Sequence, residues 1–273
     1  MALATTNQPD QTIDFEAMRT LADIPRYHAQ RRPTSIALVF EGRETTFAEF
    51  DRRTNQAAQA LLAEGLGKGD RIAHLGKNSD HYFELLFGAA KVGVVMAPIG
   101  WRLAPPEVAY IAGDALARML FVGPEVLENA RQIAPELPSV KIVAMEAGLS
   151  GWPTFEAWRD AQPARDPQLP IEERDVAVQL YTSGTTGRPK GAMLSHLNIL
   201  GGRRKAAEAE MAWNRWGPDD ISLVAMPVGH IGGTGWGIVG LVNGAKGVVA
   251  REFDPTKVLD FIERDRISKM FMV

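Results

Sequence analysis

Residues 176–198 read VAVQLYTSGTTGRPKGAMLSHLN. Val176 to Leu180 is a short apolar run of the kind that forms a buried strand. From Thr182 to Gly187 every side chain is a hydroxyl or a hydrogen. Glycine lets the backbone curl until several N–H groups point at one anion, and hydroxyls add donors without bulk. Arg188 and Lys190 supply positive charge where the loop ends. A long helix is expected from Ser195 to Ala212. Strand and helix would then hold the loop at the carboxyl edge of a sheet, where α/β proteins place their ligands. The guest that suits such a loop is a polyphosphate. A P-loop is excluded by spacing: G-x-x-x-x-G-K-[ST] requires glycine five residues after Gly184, and Pro189 stands there. A plain Ser/Thr/Gly linker would not need a buried strand upstream and a Pro-Lys-Gly stop downstream.

Outward from this segment, strand and helix patterns alternate every 20 to 25 residues or so. Strands are expected at 36–40, 71–75, 94–97, 118–122, 140–145, 221–225 and 247–250. Thr46-Phe-Ala-Glu49 is a capping box that opens a helix, which Gly65 and Gly67 stop; EGRE at 41–44 reads as a turn. Ser79 caps a second helix, Pro105-Pro106 opens a third, and another follows Pro124. Asp254-Pro255 starts one whose buried face is Val258, Leu259 and Ile262. The alternation predicts an α/β fold of mostly parallel sheets flanked by helices on both faces. Five prolines and glycines between Gly151 and Pro170 mark 149–170 as a surface connection between two α/β portions. Lys269 to Val273 reads as a strand in which the sequence stops, so residues 1–273 are expected to be the front part of a longer polypeptide.

Composition narrows the class. The 273 residues are 45% hydrophobic and 23% charged, ordinary for a globular chain and incompatible with general disorder. A net charge of -3 provides no global field for nucleic acid or anionic lipid, so an anion site has to be local. Cysteine is absent, which excludes disulfides, thiolate zinc sites and thiol catalysis. The start lacks a basic region followed by an apolar one, so a cytoplasmic location is expected. Residues 221–245 contain no Asp, Glu, Lys or Arg, but their seven glycines argue against a transmembrane helix and for a strand, a Gly-rich turn and a second buried element.

YTSGTTGRPKG with Ser195-His196 and Asn198 resembles the signature loop of the adenylate-forming superfamily, which includes acyl-CoA synthetases, luciferases and peptide-synthetase adenylation domains. Thr46-Phe-Ala-Glu-Phe50, Gly69-Asp-Arg-Ile72, Gly93 to Pro98 and Arg251-Glu-Phe-Asp-Pro255 resemble further family segments. The resemblance implies the front half of the family's large N-terminal, AMP-binding domain. It implies a two-step ligase reaction: a carboxylate attacks the α-phosphate of Mg-ATP, and a thiol such as that of CoA then takes the acyl group. Thr182, Ser183, Gly184, Thr185, Thr186, Gly187 and Lys190 would hold the β- and γ-phosphates, and Thr185 would sit near Mg²⁺. The family's later acidic magnesium residue, ribose-binding Asp, hinge and catalytic Lys lie outside these residues. No catalytic residue is therefore assigned, and this piece alone is expected to be inactive; a non-catalytic nucleotide-binding or interaction module is the alternative. A homodimer is left open.

Met226-Pro-Val-Gly-His230-Ile-Gly-Gly-Thr-Gly-Trp236 aligns with the segment that carries a His at the acyl pocket of fatty-acyl-CoA synthetases. That makes His230, Gly235 and Trp236 candidates for substrate binding, with Met226 beside them on an apolar channel. The glycines would admit a ligand close to the backbone. Between Asp220 and Glu252 there is no carboxylate to pair with a substrate ammonium. An uncharged acyl body is expected, with a fatty acid favoured over aryl or alicyclic acids.

Overall fold

The computed structural model describes residues 13–146, 151–182, 188–217 and 219–273. Strands β1 (Ile36–Phe40), β2 (Arg43–Thr46), β3 (Arg71–Leu75), β4 (Val95–Ile99), β5 (Ala117–Val122) and β6 (Lys141–Ala144) come first. They are followed by β7 (Val176–Thr182), β8 (Lys190–Ser195), β9 (Ile221–Val224), β10 (Lys246–Val249) and β11 (Lys269–Met270). The helices are α1 (Asp23–Arg31), α2 (Phe47–Ala63), α3 (Asp80–Lys91), α4 (Pro105–Asp114), α5 (Leu127–Ile133), α6 (Phe155–Asp160), α7 (His196–Glu208), α8 (Ile231–Val242) and α9 (Pro255–Asp265). One sheet has the order β6-β5-β3-β4-β7-β8 and the other β11-β9-β10-β1-β2. All neighbours run parallel except the β7–β8 and β1–β2 pairs. The expected α/β class and mostly parallel sheets are present.

Burial places the layers. The main core joins residues of both sheets, such as Phe40, Met96 and Val178, to α1, α2, α3, α6 and α8, so these helices fill the space between the sheets. The outer face of the six-stranded sheet packs on α4 and α5, and that of the five-stranded sheet on α9. Among these helices α3 has no solvent side: every residue of it is buried, its Asp, Glu, His and Lys included. β4 is buried along its whole length for the same reason.

The local start signals act as read. Thr46 Oγ1 accepts from Glu49 N–H, and the Glu49 carboxylate accepts from Thr46 N–H at 2.9 Å. Ser79 caps α3, Ser195 caps α7 and Asp254 caps α9. At the end of α2, Gly65 turns the chain with φ +73°, which favours glycine.

Several expectations need correction. EGRE is only half a turn, because Arg43 and Glu44 pair with Phe40 and Val39 in a hairpin. The Pro-rich stretch contains α6, where Thr154 caps the helix and Phe155 and Trp158 are buried. Both sheets draw strands from either side of that stretch, so it does not part the chain into two separate α/β portions. The helix after Ser195 ends at Glu208, and a short 3-10 turn covers Ala212 to Asn214. Leu259 is 67% exposed, and the inner face of α9 is Val258, Phe261 and Ile262 instead. Only Lys269 and Met270 of the last five residues pair, with β9.

Residues 221–245 form β9 and then the helix α8, despite the five glycines within it. Packing explains two of them: a Cβ at Gly233 would lie 2.3 Å from the Met226 and Pro227 carbonyl oxygens, and one at Gly237 2.3 Å from the Phe83 ring. Gly233→Ala is expected to lower stability by about 2–3 kcal/mol, because backbone has to move to relieve the clash. An unchanged urea midpoint for that variant would contradict this account. No helix among the described residues is long and apolar enough to cross a membrane.

Candidate active site

The carboxyl ends of both sheets are stitched together. Asn78, just after β3, donates its carboxamide hydrogens to the Met226 carbonyl at 3.1 Å and the Ala250 carbonyl at 2.9 Å. Its Oδ1 accepts from Val228 N–H at 2.9 Å, and its own N–H donates to the Arg251 carbonyl at 3.0 Å. Gly229 passes within 3.0 Å, Cβ position to backbone, of Gly100 after β4. Strand ends β3, β4, β9 and β10 therefore share one edge, where a doubly wound sheet presents its ligand sites. Asn78 was not among the expected site residues; the sequence offers only an Asn ahead of a helix cap as its signal.

The hydroxyl-rich loop leaves this edge from β7. Ser183, Gly184, Thr185, Thr186 and Gly187, with the magnesium assignment to Thr185, lie outside the described residues. Thr182 and Lys190 are described, and they face each other as the last register pair of the β7–β8 hairpin, both exposed. A strand thus follows the loop where a helix was expected. The physical consequence is a shorter span: the two stems are tied by a ladder rather than by strand and helix packing. At its mouth stand one hydroxyl and one ammonium, groups able to make charge-assisted hydrogen bonds to an anion. The Arg188 guanidinium lies 5.7 Å over the Tyr110 ring of α4.

The acyl candidates are only partly brought together. Gly235 and Trp236 line a cavity of about 400 Å³ between α7 and α8, with Leu194, Ile199, Ile238 and Phe271. Trp236 lies 5.6 Å from the Trp216 ring and 6.1 Å from that of Phe271, so one wall is aromatic. Asn198 and Arg203 bring polarity to the same cavity, and burial pulls the Arg203 pKa down. His230 is not part of the lining: it is exposed and sits at the N-cap of α8 without a side-chain cap bond. Met226 is absent from the lining too, its carbonyl being held by Asn78. The glycines nearest His230 close against protein backbone and side chain, at Gly100 and at the Met226 and Pro227 carbonyls, rather than leaving room for a ligand.

A larger groove of about 760 Å³ runs beside α9 and the β1–β2 hairpin. Its charges answer one another: Arg251 binds Glu41 at 2.7 and 2.8 Å, and Arg264 binds Asp265 at 2.6 Å. Its four acidic lining residues against three basic ones give no net positive field with which to collect an anion.

Among the described residues, Asp80, His81 and Glu84 come within metal-binding reach of one another. They do not suit a magnesium ion. Arg43 holds both Asp80 oxygens at 2.8 and 2.7 Å, and Arg53 and Arg159 both donate to Glu84. Three guanidiniums already neutralise the two carboxylates in a buried layer, and a divalent cation would have to displace them. This network was missed in the sequence, although charged residues inside the apolar run DHYFELLFGAAK were its signal.

With this geometry in hand, comparison with known proteins is specific. Residues 26–273 match the family described as "AMP-binding enzyme". A fatty acid–[acyl-carrier-protein] ligase, ScoC, of Streptomyces coeruleorubidus is 39% identical over 246 residues, 90% of this chain and 46% of that protein. A feruloyl-CoA synthase of an Amycolatopsis species is 33% identical over 255 residues, covering 93% and 48%. The inhibitor-bound N-terminal domain of FACL13 from Mycobacterium tuberculosis superposes with a TM-score of 0.80 at 27% identity, over 93% of this chain and 62% of that one. The chain spans about half the length of the curated relatives it matches.

Proposed function

The chain belongs to the AMP-binding enzyme family, and from that premise we propose that it is the nucleotide-gripping front part of an ATP-dependent acid–thiol ligase. In this reading a carboxylate attacks the α-phosphate of ATP, pyrophosphate leaves, and a thiol takes the acyl group from the adenylate. The work of these residues is electrostatic. Thr182 and Lys190, with Ser183 to Gly187 between them, bind the β- and γ-phosphates and offset the charge that builds on the departing pyrophosphate. Magnesium, when bound with ATP, would neutralise further phosphate charge; no described side chain is assigned to it.

The observation that carries the reading is the pairing of Thr182 with Lys190 at the mouth of a hairpin on the shared carboxyl edge. It puts an ammonium-bearing and a hydroxyl-bearing residue, paired through the backbone ladder, at the two ends of a loop rich in small donors. The cavity beside Trp236 supports an apolar acyl body. A fatty acid remains the favoured substrate, consistent with the name of the Streptomyces relative. The aromatic wall of Trp236 and Phe271 also suits a flat aryl acid. CoA is the proposed acceptor; the Streptomyces relative is named for an acyl-carrier protein, so both thiols belong in the assay.

Pyrophosphate exchange driven by a carboxylic acid, measured on the polypeptide that contains this chain, tests the class. A fatty, aryl and alicyclic panel ranks the acyl groups, and absence of exchange with every acid rejects the proposal. Lys190→Ala is expected to reduce kcat/KM for ATP roughly 30-fold, about 2 kcal/mol, because the loop's backbone donors remain. An unaltered kcat/KM would dismiss its role on the phosphates.

A further inference from the structure

The two ends of the hairpin are held from outside by one face of α4. Tyr181, next to Thr182 on β7, donates its hydroxyl to Asp114 Oδ2 at 2.6 Å. The same hydroxyl accepts from Gln179 Nε2 at 2.9 Å, and Gln179 Oε1 accepts from Arg71 Nε at 3.1 Å. This chain of donors runs along one face of the sheet from β3, across β7, to the last residue of α4. On the far stem Tyr110 donates to the Pro189 carbonyl at 3.5 Å, and its ring lies under Arg188. Tyr110 and Asp114 are four residues apart, hence on the same side of α4.

Gly191 completes the arrangement. It faces Tyr181 across the ladder. A Cβ there would lie 2.4 Å from Gln179 Nε2 and 3.0 Å from the Tyr181 ring. A side chain at this position would push aside the Gln179 carboxamide that donates to Tyr181 and would press on the Tyr181 ring.

We propose that Asp114 and Tyr181 are positioning residues for the phosphate grip: α4 clasps both stems of the hairpin and fixes where Thr182 and Lys190 stand. The inference rests on the reading of this hairpin as the ATP phosphate site. Neither residue touches the nucleotide in this account. Asp114 acts through Tyr181, and Tyr181 through the strand end it anchors. The bond is of the strong, charge-assisted type and lies at the surface, so its loss lets the stem drift while the core beneath stays packed.

The test is carboxylate-dependent pyrophosphate exchange on the polypeptide that contains this chain, with KM for ATP and KM for the acid read separately. Tyr181→Phe removes one hydroxyl and is expected to raise KM for ATP roughly 10-fold, leaving KM for the acid within about twofold. Asp114→Ala should match it, Asp114→Asn should recover most of the loss through its remaining amide oxygen, and the double variant should be no worse than either single one. Gly191→Ala should reproduce the same signature. Equal increases in both KM values, an unchanged KM for ATP, or additive effects would overturn the proposal. Thr182→Ala and Lys190→Ala separate the two levels. If these impair ATP use while Tyr181→Phe does not, the positioning inference alone fails. If they too leave ATP use intact, the phosphate-site reading fails beneath it.

Discussion

Lowering the pH from 7 to 5 is expected to remove about 5 kcal/mol of folding stability, through three buried histidines. Burial holds His28 down at about 4, His74 at about 3 and His196 at about 4, against an ordinary value of 6.5. His28 Nε2 donates to the Val242 carbonyl at 3.1 Å, which places a proton on Nε2, and His196 Nδ1 accepts from Leu21 N–H at 3.1 Å, which requires that nitrogen to be unprotonated. His74 lies against Tyr82 at 4.8 Å, with burial as the sole cause of its shift. The sign follows from where the protons bind. Below pH 6.5 the unfolded chain protonates all three rings while the folded chain does not, so stability is fully present above 6.5. It falls by about 1.4 kcal/mol per histidine per pH unit until the folded values are reached. Paired carboxylates such as Asp80 and Asp166 add to the loss only at lower pH, since their ordinary value is 3.8. Urea unfolding at pH 7, 6 and 5 gives the free energies, and calorimetry in buffers of different ionisation enthalpy gives an uptake of about three protons at pH 5. Equal stability at pH 7 and pH 5, or no proton uptake, would show that these rings are not held neutral.

The parts of this fold that local chemistry specifies are the parts legible in the sequence. Thr46, Ser79, Ser195 and Asp254 announce helices because each cap needs only a side chain and an N–H two or three residues on. The parts that depend on a distant partner were not legible. α6 is six residues between prolines, too short to persist alone, and it is held by burial of Phe155 and Trp158 and by Arg159 on Glu84. β8 is an edge strand with no buried residue, so it lacks the apolar run by which β4 and β7 declare themselves. α8 hides behind glycine, whose low helix propensity is overridden because two of its glycines are the only residues that fit. The same gap separates the two halves of the candidate site. Thr182 and Lys190 could be proposed from the sequence because a phosphate loop would be contiguous in the chain. Asp114 and Asn78 were missed because their roles exist only once α4 and the two sheets are assembled.

Glu84→Ala is expected to cost about 3–5 kcal/mol, because it strands two guanidiniums in the middle layer. Glu84 is fully buried on α3 and takes Arg53 Nη1 at 3.1 Å from α2 and Arg159 Nη1 from α6. Among the described residues, Arg53 retains only the Thr45 hydroxyl at 3.2 Å as a second acceptor, and its Nε has none. Arg159 keeps Asp160 at 2.7 and 3.1 Å. Burial opposes the Arg159 charge, and the bonds to Asp160 and Glu84 outweigh it, so its pKa stays above the ordinary guanidinium value. Removing Glu84 leaves the desolvation cost of both arginines and takes away most of what offset it. Glu84→Gln keeps an acceptor oxygen but no charge, and should lose about half as much. The double variant Glu84→Ala/Arg159→Leu should recover part of the loss by removing one of the stranded charges. Since Arg159 is one of the ties between α6 and the core, beside the buried Phe155 and Trp158, limited proteolysis of Glu84→Ala should open first within 151–170. Urea unfolding that places Glu84→Ala within about 1 kcal/mol of the parent, or a double variant no more stable than the single one, would mean that the three charges are solvated rather than bound to one another.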